Sequence, residues 1–132
     1  MIVVEGAGQA PLRGSDLRLS SETMMASIAI KLNPEKMLNP DADLRYLIPK
    51  RIQEMYNESI IEDGYDYLDD DSMVIYLATD DPDAGVTKVI ELLQNEKVLN
   101  NKILESAIIG LDKGSGYTVV FPVDFEGQTK FE

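Results

Sequence analysis

The chain contains no cysteine, no histidine and no tryptophan among its 132 residues. Without cysteine there is no disulfide framework, no thiolate nucleophile and no cysteine-ligated zinc site. Without histidine, Ser-His-Asp and Cys-His catalytic arrangements and imidazole metal sites are also excluded. We therefore expect no catalytic residues, no metal site and no cofactor, and we expect a non-enzymatic protein of the cytoplasm.

Long apolar runs are missing too. No segment of the sequence approaches the ~20 apolar residues that a membrane-spanning helix needs. The N-terminus lacks the basic region and the apolar stretch of a signal peptide. The sequence therefore predicts a soluble protein that does not associate with membranes.

Basic residues are scarce, with 12 Lys and Arg against 24 Asp and Glu, which gives a formal net charge of −12. Nucleic acid and anionic lipid would be repelled by such a chain, so we expect neither as a direct ligand. A basic protein partner, a metal ion and solubility alone remain as explanations of the excess acid.

Residues 1–23 differ from the rest of the chain. Gly6, Gly8, Pro11 and Gly14 interrupt any periodic pattern there. Met24 and Met25 directly precede the first strand pattern, so we interpret residues 1–23 as an N-terminal extension or arm and residues 24–132 as a single α+β domain.

Five strand patterns and two helix patterns follow, in the order of a split βαβ unit with an added terminal strand. Residues 27–32 alternate as a strand, a hairpin follows with its second strand at 73–78, and strands are predicted at 107–111 and 117–123. The first helix is expected to begin at Asn39-Pro40-Asp41 and the second at Asp81-Pro82-Asp83. Because Pro49 falls inside the first helical pattern, that segment must kink or form two helices.

This order predicts a ferredoxin-like βαββαβ sandwich with an extra C-terminal strand. Two helices would cover one face of an antiparallel sheet and leave the other face open. Val74 and Tyr76 would expose apolar surface on that open face unless something covers it. The N-terminal arm and a second subunit are the two candidates, so a homodimer through the open face is possible.

Two stretches resemble ligand-binding loops without completing one. Residues 110–116 are rich in glycine but lack the Gly-Lys-Ser/Thr ending of a phosphate loop, and they join two strands. Residues 80–91 carry acids at calcium-loop spacing, but Pro82 and Ala84 stand at ligand positions. Asp81 is better explained as a helix cap.

Eleven acids and no Lys or Arg lie between residues 52 and 87, so the sequence supplies no local cation to neutralise them. Tyrosines alternate with these acids, a composition typical of an interface that anchors by aromatic burial and orients by charge. A solvated acidic surface with tyrosines in the core is the alternative. The predicted partner-binding residues are Asp63, Tyr65, Asp66, Tyr67, Asp69, Asp70, Asp71, Asp80, Asp81 and Asp83.

The segments IEDGY at residues 61–65 and IYLATDDPDA at residues 75–84, continuing to Leu93, resemble small acidic bacterial immunity proteins of polymorphic and contact-dependent toxin systems. The resemblance implies a protein that binds and neutralises a cognate toxin domain through acidic surface. Two other classes stay open, namely a dimeric ferredoxin-like domain that is regulatory or binds a small molecule, and a small enzyme that uses tyrosine and carboxylates.

Overall fold

A computed structural model describes residues 25–56 and 59–132. The predicted arm at residues 1–23 lies outside this part of the chain. The described residues form five strands and two helices, namely β1 (Ala26–Leu32), α1 (Leu44–Tyr56), β2 (Ile60–Tyr67), β3 (Met73–Thr79), α2 (Pro82–Asn95), β4 (Ala107–Asp112) and β5 (Tyr117–Phe121). None of the helices in residues 25–56 and 59–132 has the length and apolar character needed to cross a membrane.

The five strands form one antiparallel sheet in the order β2-β3-β1-β4-β5. This confirms the α+β class, and the arrangement is compatible with a ferredoxin-like sandwich. β3 lies between β2 and β1, as its apolar character on both faces predicted. β2 and β5 are the edge strands, so the hairpin that carries most of the predicted site is at one border of the sheet.

The main core lies between the sheet and the two helices. Alternation along β1 places Ile28, Ile30 and Leu32 on the helix face, where all three are buried. Ile75 and Leu77 extend this layer on β3, as predicted. The helices contribute buried residues at helical spacing, namely Leu44, Ile48 and Ile52 from α1 and Val89, Leu92 and Leu93 from α2.

The two helix starts differ in how far local sequence determined them. α2 begins at Pro82 as predicted, with Asp81 as its cap. α1 begins at Leu44 and is one helix with Pro49 inside it. It starts later than predicted because Asn101 pairs with Asn39, donating to its carbonyl at 2.7 Å and accepting from its N–H at 2.8 Å.

The face of the sheet away from the helices is here called the open face. Part of it is covered by the chain's own C-terminal segment, residues 122–132, through contacts made by residues 129–131. Phe131 is 4% exposed and packs with Ala29 and Val74. The Tyr76 hydroxyl donates a hydrogen bond to the carbonyl of Phe131. The predicted exposure of Val74 is therefore relieved within the chain. The last strand ends at Phe121, two residues earlier than predicted, because a turn follows in which the Phe125 N–H donates to the Pro122 carbonyl at 3.1 Å.

Candidate partner-binding surface

The ten predicted partner-binding residues fall into two groups, one beside and before β3 and one after it. One group lies on β2 and in the acidic turn, residues 68–72, which joins β2 to β3. The other group, Asp80, Asp81 and Asp83, follows the far end of β3. Because β3 has seven residues and a strand rises about 3.4 Å per residue, the acidic turn is about 20 Å from the second group. The members on β2 lie between them, and Asp63 directly follows the residue that pairs with Leu77. The structure therefore does not bring the ten residues into one patch.

In the group beyond β3, two of the three carboxylates already contact other groups of the chain. The Asp81 carboxylate accepts a hydrogen bond from the Ala84 N–H at 3.3 Å, which caps α2. Asp83 lies 4.0 Å from the ammonium group of Lys113 in the loop between β4 and β5. Asp80 is exposed. The cap assignment made from the sequence is confirmed, and Asp81 stabilises the helix whether or not a partner binds.

Asp70 in the acidic turn has a cation that the local sequence does not contain. Its carboxylate lies 3.5 Å from Lys31 Nζ, which comes from β1, and it accepts a hydrogen bond from the Ser72 N–H at 3.1 Å. Hydrogen bonding to Ser72 and then the charge of Lys31 lower the pKa of Asp70. The expectation that these aspartates lack a neutralising cation is therefore wrong for Asp70.

Asp71 and Asp69 differ from Asp70 in this turn. Asp71 has a φ of 66°, a left-handed conformation that aspartate tolerates better than most residues, and its N–H donates to the carbonyl of Leu68 at 2.9 Å. Asp69 is exposed and lines a cleft of about 630 Å³ between the acidic turn and the C-terminal segment. Asp66 borders the same cleft and accepts a hydrogen bond from the Tyr67 N–H at 2.8 Å.

Three tyrosines form a cluster on the helix side of the sheet border. Tyr65 and Tyr67 point from β2 toward α1, where they meet Tyr46. The ring centroids of Tyr46 and Tyr65 are 6.1 Å apart and those of Tyr65 and Tyr67 are 6.2 Å apart, both pairs in edge-to-face geometry. The side chains remain 49%, 41% and 47% exposed for Tyr46, Tyr65 and Tyr67. We call these residues the tyrosine cluster.

Arg45 holds the tyrosine cluster together. Its guanidinium carbon lies 4.5 Å from the ring centroid of Tyr46 and 4.9 Å from that of Tyr65. One guanidinium nitrogen, Nη1, donates to the Tyr67 hydroxyl at 3.2 Å and to the Ala42 carbonyl at 3.3 Å. Because Arg45 stabilises the phenolate, it lowers the pKa of Tyr46. The cluster is therefore arranged in advance around one cation.

Side chains protect the backbone of the β2 border. The strand has an irregular register between Glu62 and Tyr65, where Asp63 and Gly64 lie and Gly64 has a φ of 98°. The Glu62 N–H donates to Gln53 Oε1 of α1 at 2.8 Å, and the Tyr67 N–H is already bonded to Asp66. Another strand would need such donors to extend the sheet, so this border offers a partner side chains rather than backbone.

Arg45, Tyr46 and Lys31 were missed by the sequence interpretation. Arg45 and Tyr46 lie in α1, and no local pattern connects a helix with a strand 20 residues later. Lys31 was assigned correctly to the face opposite Ile28, Ile30 and Leu32, but the pattern did not show what it pairs with. Gly110 was the available signal for the C-terminal segment, because a glycine inside an apolar strand marks a close approach by another part of the chain.

In residues 25–56 and 59–132, no three Asp or Glu side chains are grouped so that they could hold a metal ion. The comparisons with protein-family models, curated proteins and solved structures find no match to this chain.

Proposed function

We propose that this protein is a non-enzymatic binding protein of the immunity type, which acts in the cytoplasm and neutralises a basic toxin domain by binding it. The binding surface is the tyrosine cluster together with the exposed acids of β2 and the acidic turn. We also propose that the fold is a ferredoxin-like sandwich extended by β5, an interpretation supported by the strand order β2-β3-β1-β4.

The observation that carries the proposal is the exposure of three rigidly arranged tyrosines at one border of the sheet. Covering a half-exposed aromatic ring with a partner makes the free energy of binding more favourable. Tyrosine also loses little conformational entropy on binding. Tyrosine and arginine are the residue types enriched among those that dominate binding energy at protein interfaces.

Charge gives the proposed partner its sign. Exposed acids lie at the same border of the sheet, namely Asp43 near Tyr46 on the helix side, and Asp63, Asp66 and Asp69 on β2 and in the acidic turn. With a net charge of −12 on the whole chain, a basic protein is attracted over a distance and an acidic one is repelled. The acids that attract a basic partner and the tyrosines that anchor it thus lie at the same border of the sheet, with Asp66 and Asp69 facing the cleft on its open face.

Homodimerisation through the open face is not part of this proposal. That idea arose from the apolar surface expected around Val74 and Tyr76, and Phe131 already buries Val74. Within residues 25–56 and 59–132, the border formed by β2 and α1 carries a cluster of exposed tyrosines that a partner could cover.

The test is affinity capture from the source cell, followed by kinetics with the purified partner. We expect a basic protein whose activity is inhibited on binding and whose association rate falls between low and physiological salt. Tyr65→Ala should weaken binding by about 30-fold, the usual size for an aromatic anchor at an interface centre. Asp63→Asn with Asp69→Asn should mainly slow association.

The matched control is Asp80→Asn with Asp83→Asn, which removes the same amount of charge beyond the far end of β3, about 20 Å from the acidic turn. These changes should leave the affinity nearly unchanged, with only the general loss of net charge affecting association. If this control abolishes binding while Tyr65→Ala preserves it, the surface lies at the other end of β3. A captured partner that is acidic, or whose association ignores salt, would contradict the charge argument.

A further inference from the structure

Lys31 joins the C-terminal segment to the acidic turn. Its side chain lies on the open face and the residue is 8% exposed. The ammonium group donates to Thr129 Oγ1 at 2.7 Å and to the Lys130 carbonyl at 2.9 Å, and it lies 3.5 Å from the Asp70 carboxylate. A lysine has three N–H donors, so these three oxygens match its full capacity.

The C-terminal segment has a second attachment beyond Lys31. Phe131 is buried against Ala29 and Val74, and its ring lies so close to Gly110 that a Cβ added there would come within 2.6 Å of it. The Tyr76 hydroxyl binds the Phe131 carbonyl. This attachment fixes the place of Thr129 and Lys130, and with them the two oxygens that hold Lys31.

Asp70 stabilises the acidic turn. The carboxylate of Asp70 accepts from the Ser72 N–H, and the Leu68 N–H donates to the Ser72 carbonyl at 2.9 Å. Asp71 within this turn has the left-handed φ of 66°, a conformation that persists only where neighbouring contacts hold it. An unbroken series of contacts therefore runs from residues 129–131 through Lys31 and Asp70 to the turn.

We infer that the C-terminal segment is a strap that positions the acidic turn through Lys31. Docking of the strap gives Lys31 two of its acceptors and orients its charge toward Asp70. Release of the strap frees Lys31 from that position and loosens the turn. The consequence for a partner rests on the proposed function, because the turn lies in the proposed binding surface, whereas the mechanical link between strap and turn does not.

Amide hydrogen exchange of Ser72, measured by NMR in the full chain without any partner, tests the link. Thr129→Val removes the hydroxyl acceptor and keeps the branched shape. We expect it to accelerate exchange at Ser72 by about fivefold to tenfold, which is less than the full effect of one lost charged hydrogen bond because Lys130 and Asp70 still hold Lys31. Thr129→Ser, which retains the hydroxyl, is the matched control and should leave exchange at Ser72 near the wild-type rate.

The same substitution made in the Asp70→Asn variant tests whether Thr129 acts on the acidic turn through Asp70 or by loosening the whole domain. In Asp70→Asn the link to Lys31 is already broken, so adding Thr129→Val should change Ser72 exchange less than twofold while both variants remain folded. An equal acceleration in both backgrounds would overturn the inference, because the effect would not pass through Asp70.

Phe131→Ala gives an independent perturbation at the other attachment of the strap. It should accelerate exchange at Ser72 more than exchange at the Ile30 amide in the middle of β1. Unchanged exchange at Ser72 in both Thr129→Val and Phe131→Ala would also overturn the inference. Partner binding is not used in this experiment, so its failure would leave the proposed function untouched.

Discussion

Replacing Gly110 with alanine should eject Phe131 from the open face or strain the sheet beneath it. Gly110 lies on β4 and does not have a positive φ, so its backbone can accept alanine. The obstacle is space, because the added Cβ would lie 2.6 Å and 2.7 Å from two ring carbons of Phe131. Real Cβ contacts are longer, so one of the two groups must move.

The protein can respond to Gly110→Ala in two ways, and the response that costs less free energy determines the loss of stability. Keeping Phe131 in place overpacks the site, which typically costs 1–3 kcal/mol. Releasing Phe131 exposes roughly 150 to 200 Å² of aromatic surface, which at about 25 cal/mol per Å² costs up to ~4 to 5 kcal/mol. We therefore expect Gly110→Ala to lower the free energy of unfolding by about 1–3 kcal/mol, measured by urea denaturation.

The decisive measurement repeats the substitution in Phe131→Ala, where the ring is gone. Alanine is favoured over glycine in a strand interior by about 0.5–1 kcal/mol, so Gly110→Ala should then be neutral or stabilising. If Gly110→Ala destabilises both backgrounds equally, Phe131 does not occupy the space above Gly110 and the description of the covered face is wrong.

Three further predictions concern single contacts. Asp70→Asn should lower stability at neutral pH, whereas Asp69→Asn should not. Because the pKa of Asp70 is lowered in the fold, this difference in stability should be lost as pH falls through that folded pKa. Equal effects of the two substitutions in urea titrations at pH 7 would contradict the pairing of Asp70 with Lys31. Glu96 accepts two hydrogen bonds from Arg51, at 2.7 Å and 2.8 Å, which lower the pKa of Glu96. Glu96→Gln should therefore destabilise the domain above pH 4.5, and its stability should approach that of the wild type in more acid solution, as measured by thermal melts across pH. Burial raises the pKa of Tyr76 to about 12, so stability should fall as pH rises from about 10 toward 12; Tyr76→Phe should cost about 1 kcal/mol at pH 7 and should weaken this alkaline loss, a result checked by denaturation at pH 7 and pH 11.

The elements that sequence predicted well are those determined by neighbouring residues. α2 starts where Asp81 and Pro82 specify a cap and a first turn. The loop between β4 and β5 closes as expected, with Gly114 and Gly116 at positive φ and Asp112 accepting both of their N–H groups. Each of these features depends on contacts within five residues, which is the range that a sequence pattern describes.

The features that sequence could not predict depend on distant residues. The start of α1 is displaced by Asn101, which is 62 positions from Asn39. The open face is covered by Phe131, whose ring packs against Val74 and approaches Gly110, and no periodicity in an irregular tail indicates which surface it meets. A pattern showed that this face needed a cover but contained no information on which segment would supply it.

The same limitation affects the candidate site, where aspartates that look equivalent in sequence acquire different roles. Asp81 caps a helix, Asp70 pairs with Lys31, and Asp66 binds a backbone N–H. A carboxylate already bound within the chain must give up or share that contact before it can pair with a partner's cation, so its net gain on binding is small. Exposed tyrosines carry no such cost, because their rings become buried without breaking an internal bond. Affinity for a partner at this border should therefore depend mainly on the tyrosine cluster, and the acids should set the rate and charge preference of the encounter.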